Sequence, residues 1–182
     1  MKQMKRISKI IAIVAITLVI VSCASSPSLQ KYYIDSQENK NFLSIDVPAS
    51  IISLKDNVSP EVEDALSSLK KFNILAFKKN DTNEAEFKVE EQKVKAILKN
   101  PKFKELMRIK DKGRNIVLKY EGDNDTMDEV IVYASDNSQG FALVRVLGEN
   151  MEPAKIMKIA NNISKVDSEG FKQLEGLFKG SK

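Results

Sequence analysis

Histidine and tryptophan are absent from this 182-residue chain, and cysteine occurs once. Without histidine there is no Ser-His-Asp triad, no Cys-His pair and no histidine-ligated zinc or copper site. Glycine is sparse, seven residues in all, and none of it forms a nucleophile elbow, a phosphate-binding P-loop or a dinucleotide fingerprint. Gly113, Gly122 and Gly148 stand at turns or strand ends, where conformational freedom is reason enough for them. No cofactor and no metal site are expected, and carboxylate chemistry is the one catalytic route left open. The chain therefore reads as a non-enzyme.

What is present begins with the N-terminus. Lys2, Lys5, Arg6 and Lys9 precede an apolar or Thr run over residues 10–21, which is the length of an export-signal core and too short to cross a bilayer. Ile20-Val21-Ser22-Cys23 then resembles the lipobox of bacterial lipoproteins. The resemblance implies cleavage before Cys23, a diacylglyceryl group on its thiol and an acylated new N-terminus, leaving no free thiol. More than one acyl chain anchors a protein stably. Ala24 stands where an Asp would hold some lipoproteins in the inner membrane, so the expected location is the outer membrane, facing the periplasm.

Cleavage also removes an apparent signal. The leader holds four of the 29 basic residues and none of the 25 acidic ones, so the mature chain carries 25 of each and has no net charge. The basic isoelectric point belongs to the leader, and a nucleic-acid partner is not expected. No aromatic is interleaved with a basic run as a base-stacking platform requires.

The domain organisation reads as a signal peptide over 1–22, a lipid-anchored flexible tether over 23–40, a single domain over 41–165 and a C-terminal tail over 166–182. Residues 42–47 alternate as a short strand. Ser59-Pro60-Glu61 opens a helix with Val62, Leu66 and Leu69 on one stripe. Residues 72–77 form a second strand, and Asp81-Thr82-Asn83-Glu84 resembles a capping box before a long helix to about Lys99. Pro101 restarts a short helical piece with Phe103, Leu106 and Met107. Lys112-Gly113, Gly122-Asp123-Asn124-Asp125 and Asp136-Asn137-Ser138-Gln139 are turn signals separating strands. Pro153 opens a last helix with Ile156, Ile159, Ala160 and Ile163 on one face. The order predicts an α+β fold, a two-layer sandwich whose mostly antiparallel sheet ends in a strand meander, with helices packed on one face.

These segments carry a resemblance. The leader, residues 72–77, Glu105-Leu106-Met107-Arg108-Ile109, Glu129-Val130-Ile131-Val132-Tyr133 and Leu143-Val144-Arg145-Val146-Leu147-Gly148 together look like the family catalogued as domain of unknown function 4252. That family comprises small lipoproteins of Gram-negative bacteria with no assigned activity. The resemblance implies location and fold and transfers no site residue.

Three features merit weighing. Asp123, Asp125, Asp128 and Glu129 form the densest acidic cluster; Asp123-Asn124-Asp125 starts like a calcium loop, but Met127 and Asp128 occupy positions that need an oxygen ligand and a glycine. A solvated hairpin turn is the simpler reading. Arg145 shares its strand face with Phe141, Leu143 and Leu147, so it needs a partner or an exit to water. Either it pairs with Asp128 or Glu129 on a neighbouring strand, or it binds a ligand on an open sheet face. The tail from Phe171 to Phe178 has apolar residues at helical spacing around Gly176; it packs back on the domain or is disordered, or it is a short docking segment for a partner or the lipid surface.

Two functions remain in view. The first is a lipid-anchored envelope protein acting as a non-catalytic binding or interaction module for an envelope protein or small ligand. The second is a carboxylate-dependent hydrolase of an envelope polymer, which needs two facing acids in a cleft.

Overall fold

The computed structural model describes residues 28–51, 53–54, 59–123, 125–161 and 166–167. Helix α1 (Leu29–Ser36) leads into β1 (Phe42–Pro48), a single 3-10 turn (Ala49–Ile51) and the two-residue β2 (Ser53–Leu54). Helix α2 (Pro60–Ser67), β3 (Leu69–Lys78) and α3 (Glu84–Ile97) follow. The meander β4 (Lys104–Asp111), β5 (Arg114–Gly122), β6 (Met127–Asp136) and β7 (Gly140–Met151) then precedes α4 (Pro153–Asn161) and β8 (Val166–Asp167). Six strands make one antiparallel sheet in the order β1-β3-β7-β6-β5-β4, and β2 pairs with β8 in a separate ribbon.

The α+β class and antiparallel meander agree with expectation. The helices, expected on one face, divide between both. On one face α1 and α3 cover Leu75, Phe77, Val117, Ile131, Tyr133, Phe141 and Leu143. On the other, Ala65 of α2 and Ile156 and Ile159 of α4 cover Phe72, Leu118, Val130 and the two buried methionines Met127 and Met151. The cause lies in β3, whose positions 72–77 are all buried. A strand apolar on both sides must be covered on both sides.

Three local expectations are corrected. The flexible tether over 23–40 contains α1. Leu29, Tyr32, Tyr33 and Ser36 recur at helical spacing and are buried, while Ser28 caps the helix by accepting the Lys31 amide at 3.0 Å. The helical piece after Pro101 is instead β4, whose residues pair with β5 as far as Asp111 opposite Arg114. A bulge between Glu105 and Met107 breaks its alternation, so apolar residues fall at spacings that mimic a helix. The capping box at Asp81 gives way to Asn83 as the N-cap of α3; its side chain accepts from the Asn80 amide and donates to the Lys78 carbonyl, fastening the loop instead of the helix. Ile163 and tail residues 168–182 lie outside the described residues.

Candidate functional site

Helix α1 and the part of α3 from Glu90 to Ile97 lie over the same sheet face and leave a cleft of about 770 Å³ between them. Its walls follow from each helix's periodicity. On α3, Phe87, Glu90, Val94 and Ile97 form the buried stripe, so an acid stands in an otherwise apolar row. On α1, Tyr32 and Tyr33 both point inwards, and Tyr33 reaches the sheet, where its hydroxyl donates to the Leu143 carbonyl at 2.6 Å and lies 3.1 Å from that of Asn73.

The apolar lining of the cleft is Tyr32, Phe42 and Ile97, with the exposed Ala96 at its edge. Phe42 is held edge-on to Tyr32 at 6.2 Å and to Phe77 at 5.0 Å between ring centroids, a favoured aromatic geometry. Asn39 and Asn41 each donate to the Glu86 carboxylate at 2.7 Å, which ties the α1–β1 loop to α3 and fixes the rim.

Glu90 is the buried acid of the site. It accepts from the Tyr32 hydroxyl at 2.9 Å and from Lys93 at 2.7 Å. Burial, reinforced by the Glu90 charge, pushes the Tyr32 phenol well above its ordinary value, while a hydrogen bond with Ser36 works the other way. Tyr32 therefore stays a neutral donor to Glu90. Lys31 and Asp35, one helical turn apart and 2.9 Å from each other, stand at the mouth. The arrangement offers an apolar slot with hydroxyl, amide and charged groups at its edge, a combination that suits binding.

The residues singled out from sequence fall elsewhere. Cys23 lies outside the described residues. Arg145 sits on central strand β7, and its guanidinium is bidentate to Glu129 of β6, at 2.6 and 2.9 Å. Its proton is held more tightly than usual, burial opposing and the Glu129 hydrogen bond and charge outweighing it. Arg145 is therefore committed to a neighbouring strand, the structural alternative of the two weighed. The same pairing removes Glu129 from the acidic cluster, and Met127 is fully buried in the core; Asn124 lies outside the described residues. Among the described residues no group of three or more acidic or cysteine side chains gathers as a metal site would.

Sequence reasoning missed Tyr32, Phe42 and Glu90. The signal for Glu90 was available: Phe87, Glu90, Val94 and Ile97 stand at intervals of three and four, placing the acid on the core stripe. Tyr32 and Phe42 gave no comparable sign, because their partners are on α3 and β3, far along the chain.

No curated protein and no solved structure matches this chain. A family model described as a domain of unknown function, DUF4252, matches residues 32–159, from the cleft-lining Tyr32 of α1 to the buried Ile159 of α4. The chain belongs to the DUF4252 family.

Proposed function

We propose that this chain is a non-catalytic binding module of the bacterial envelope, anchored by lipid on Cys23, whose α1/α3 cleft receives a small ligand or partner side chain with an apolar body and a hydrogen-bonding end. The observation that carries this reading is the cleft itself, with its aromatic lining and one buried carboxylate. Its acids are already engaged, Asp35 with Lys31 and Glu90 with Tyr32 and Lys93. A carboxylate-dependent hydrolase needs one acid that holds its proton near neutral pH. Elsewhere Asp46, Glu61, Glu84, Glu105, Asp136 and Glu149 are all shifted the opposite way.

Five residues separate Cys23 from Leu29, the first residue of α1. Fully extended, the six steps from Cys23 to Leu29 span at most about 22 Å. A lipid on Cys23 would thus hold α1, and with it one wall of the cleft, within about one domain radius of the bilayer surface.

The reading is tested in two steps. Cys23→Ser should abolish incorporation of a clickable palmitate analogue and release the protein from the membrane fraction; retention and labelling in the variant would remove the anchor. With the mature chain from residue 23 carrying Cys23→Ser, the neutral fluorophore N-phenyl-1-naphthylamine should bind saturably. Ala96→Phe, which sets a ring across the cleft from its exposed edge, should abolish that signal at unchanged folding. Equal fluorescence in both proteins would overturn the cleft as the binding site.

A further inference from the structure

Strand β4 is one edge of the six-stranded sheet and has β5 on one side only. Every residue of it but Leu106 is exposed. Met107 and Ile109 are 36% and 45% exposed, two of the four large apolar side chains left exposed among the described residues. A bare edge of this kind offers its unpaired N–H and C=O groups to another strand. The opposite edge, β1, carries one charged side chain, Asp46, and closes on Pro48.

The hairpin fixes which groups of β4 face outwards. Asp111 pairs with Arg114 across the two-residue turn Lys112-Gly113, whose φ angles of 44° and 86° are those of a type I′ turn. Residues closing such a turn exchange both hydrogen bonds, so Asp111 and, by alternation, Ile109 and Met107 bond to β5. Arg108 and Lys110 therefore direct N–H and C=O to the free edge. Beyond the bulge at Leu106 the next outward place falls to Glu105. The side chains divide by face. Arg108 and Glu105 stand opposite Val117 and Lys119 on the α3 side, whereas Met107 and Lys104 stand opposite Leu118 and Tyr120 on the side of α2 and α4.

This edge is complementary to itself. Laid antiparallel on a second copy with Arg108 opposite Arg108, it sets Glu105 against Lys110, Met107 against Ile109 and Lys104 against Asp111, each twice by symmetry and each pair on one face. Centred on Ile109 instead, Arg108 would meet Lys110; centred on Lys110, Arg108 would meet Lys112. Among the described residues no ion pair within the chain engages Lys104, Lys110 or Asp111, although their neighbours Lys102, Glu105 and Arg114 are paired. The central arginines are the one like-charge contact, and each is held by Glu105 of its own chain at 2.9 and 2.5 Å.

We propose that β4 pairs with β4 of a second copy about a two-fold axis through Arg108, joining the two six-stranded sheets edge to edge. Glu105, Arg108 and Lys110 exchange backbone hydrogen bonds across the axis, and the exposed Met107 and Ile109 of both copies close into one apolar patch. The α1/α3 cleft takes no part in this contact.

The test is sedimentation equilibrium of the mature chain from residue 23 carrying Cys23→Ser. A reversible monomer–dimer equilibrium in the micromolar range is expected, because one strand pair buries less than the standard interface of about 1,600 Å². Lys110→Pro removes an outward N–H and no bond to β5, so it should abolish the dimer with little change in Tm. Lys110→Glu, which sets an acid against Glu105 of the second copy, should weaken the dimer by about tenfold. Glu105→Lys combined with Lys110→Glu should recover most of that loss, because the pair is reversed and not removed. Should Lys110→Pro unfold the hairpin, the charge reversal and its rescue decide alone, since neither alters the backbone. A monomer at every concentration up to about 1 mM, species larger than a dimer, or a dimer that ignores Lys110→Glu or is not rescued by the reversed pair would overturn the proposal.

Discussion

The Arg145 guanidinium lies fork to fork on the Glu129 carboxylate, and its central carbon stands 5.5 Å from the centroid of the Tyr33 ring. The side chains are 12% and 10% exposed, so both charges have been taken from water and each is compensated chiefly by the other. Removing one partner leaves an uncompensated buried charge, whereas removing both with apolar groups of similar volume does not. Arg145→Met should destabilise the domain by about 3–5 kcal/mol, and Arg145→Met with Glu129→Leu should recover most of that loss. Urea unfolding of the three proteins decides it; a single variant as stable as the parent would show that water reaches the pair.

Tyr32 and Glu90 join α1 to α3 across 58 positions of sequence through one hydrogen bond with a charged acceptor. A cycle of Tyr32→Phe, Glu90→Ala and the double variant should give a coupling of about 1–3 kcal/mol. Additive effects would mean that α1 is held by its apolar contacts alone.

Asp136 organises the β6–β7 turn. Its carboxylate accepts from the Ser138 hydroxyl at 2.5 Å, the Ser138 amide at 2.8 Å and the Gln139 amide at 3.2 Å. The Ser138 hydroxyl hydrogen bond, above all, holds its pKa below the usual carboxylate value; the two amides and Arg114 help, and burial opposes them. A carboxyl depressed in the folded state contributes stability above its unfolded pKa of about 4 and loses it as pH falls through the native value. Asp136→Asn should therefore reduce stability at pH 7 by about 1 kcal/mol. That difference should shrink as pH drops below about 4. A gap between variant and parent that is constant down to strongly acid pH would contradict the linkage.

Gly140 begins β7 with a φ of +123°, and a Cβ there would meet the Phe77 carbonyl oxygen at 2.0 Å. Gly113, in the β4–β5 turn at a φ of +86°, has nothing nearer than the Asn137 side-chain nitrogen at 3.7 Å. Gly140→Ala should cost at least about 2 kcal/mol and Gly113→Ala about 1 kcal/mol, the first from strain and collision and the second from backbone conformation alone. Thermal melts of the two variants would separate these causes, and equal losses would refute the distinction.

The sheet's centre was legible because residues 72–77 and the strands of the meander are dense in β-branched and aromatic residues between clear turns. The same run, apolar at nearly every position, also implied cover on both faces, an inference the helix count alone does not make. Helix α1 was hidden by composition: Gln30, Lys31, Asp35 and the Gln37 and Glu38 that follow it give the segment the look of a polar linker, and its buried stripe gains meaning only from α3 and the sheet. Strand β4 was hidden by its bulge. Of the candidate site, Glu90 was within reach of a helical count, while Tyr32 and Phe42 depended on tertiary neighbours. Arg145 was read correctly as a charge that needed a partner, and a strand neighbour supplied it.

Strand β3 lies between β1 and β7, and its partner β7 begins 62 residues after β3 ends at Lys78. Until Gly140 and the residues after it are synthesised, the most apolar strand of the chain has only β1 beside it, leaving one edge of residues 72–77 unpaired and the face that α4 shares without that helix. Contacts this distant slow folding and leave adhesive surface open in the meantime. A nascent or truncated chain that stops in the meander would therefore aggregate through β3, and any holding factor that accompanies this protein would have the 72–77 segment as its natural point of attachment.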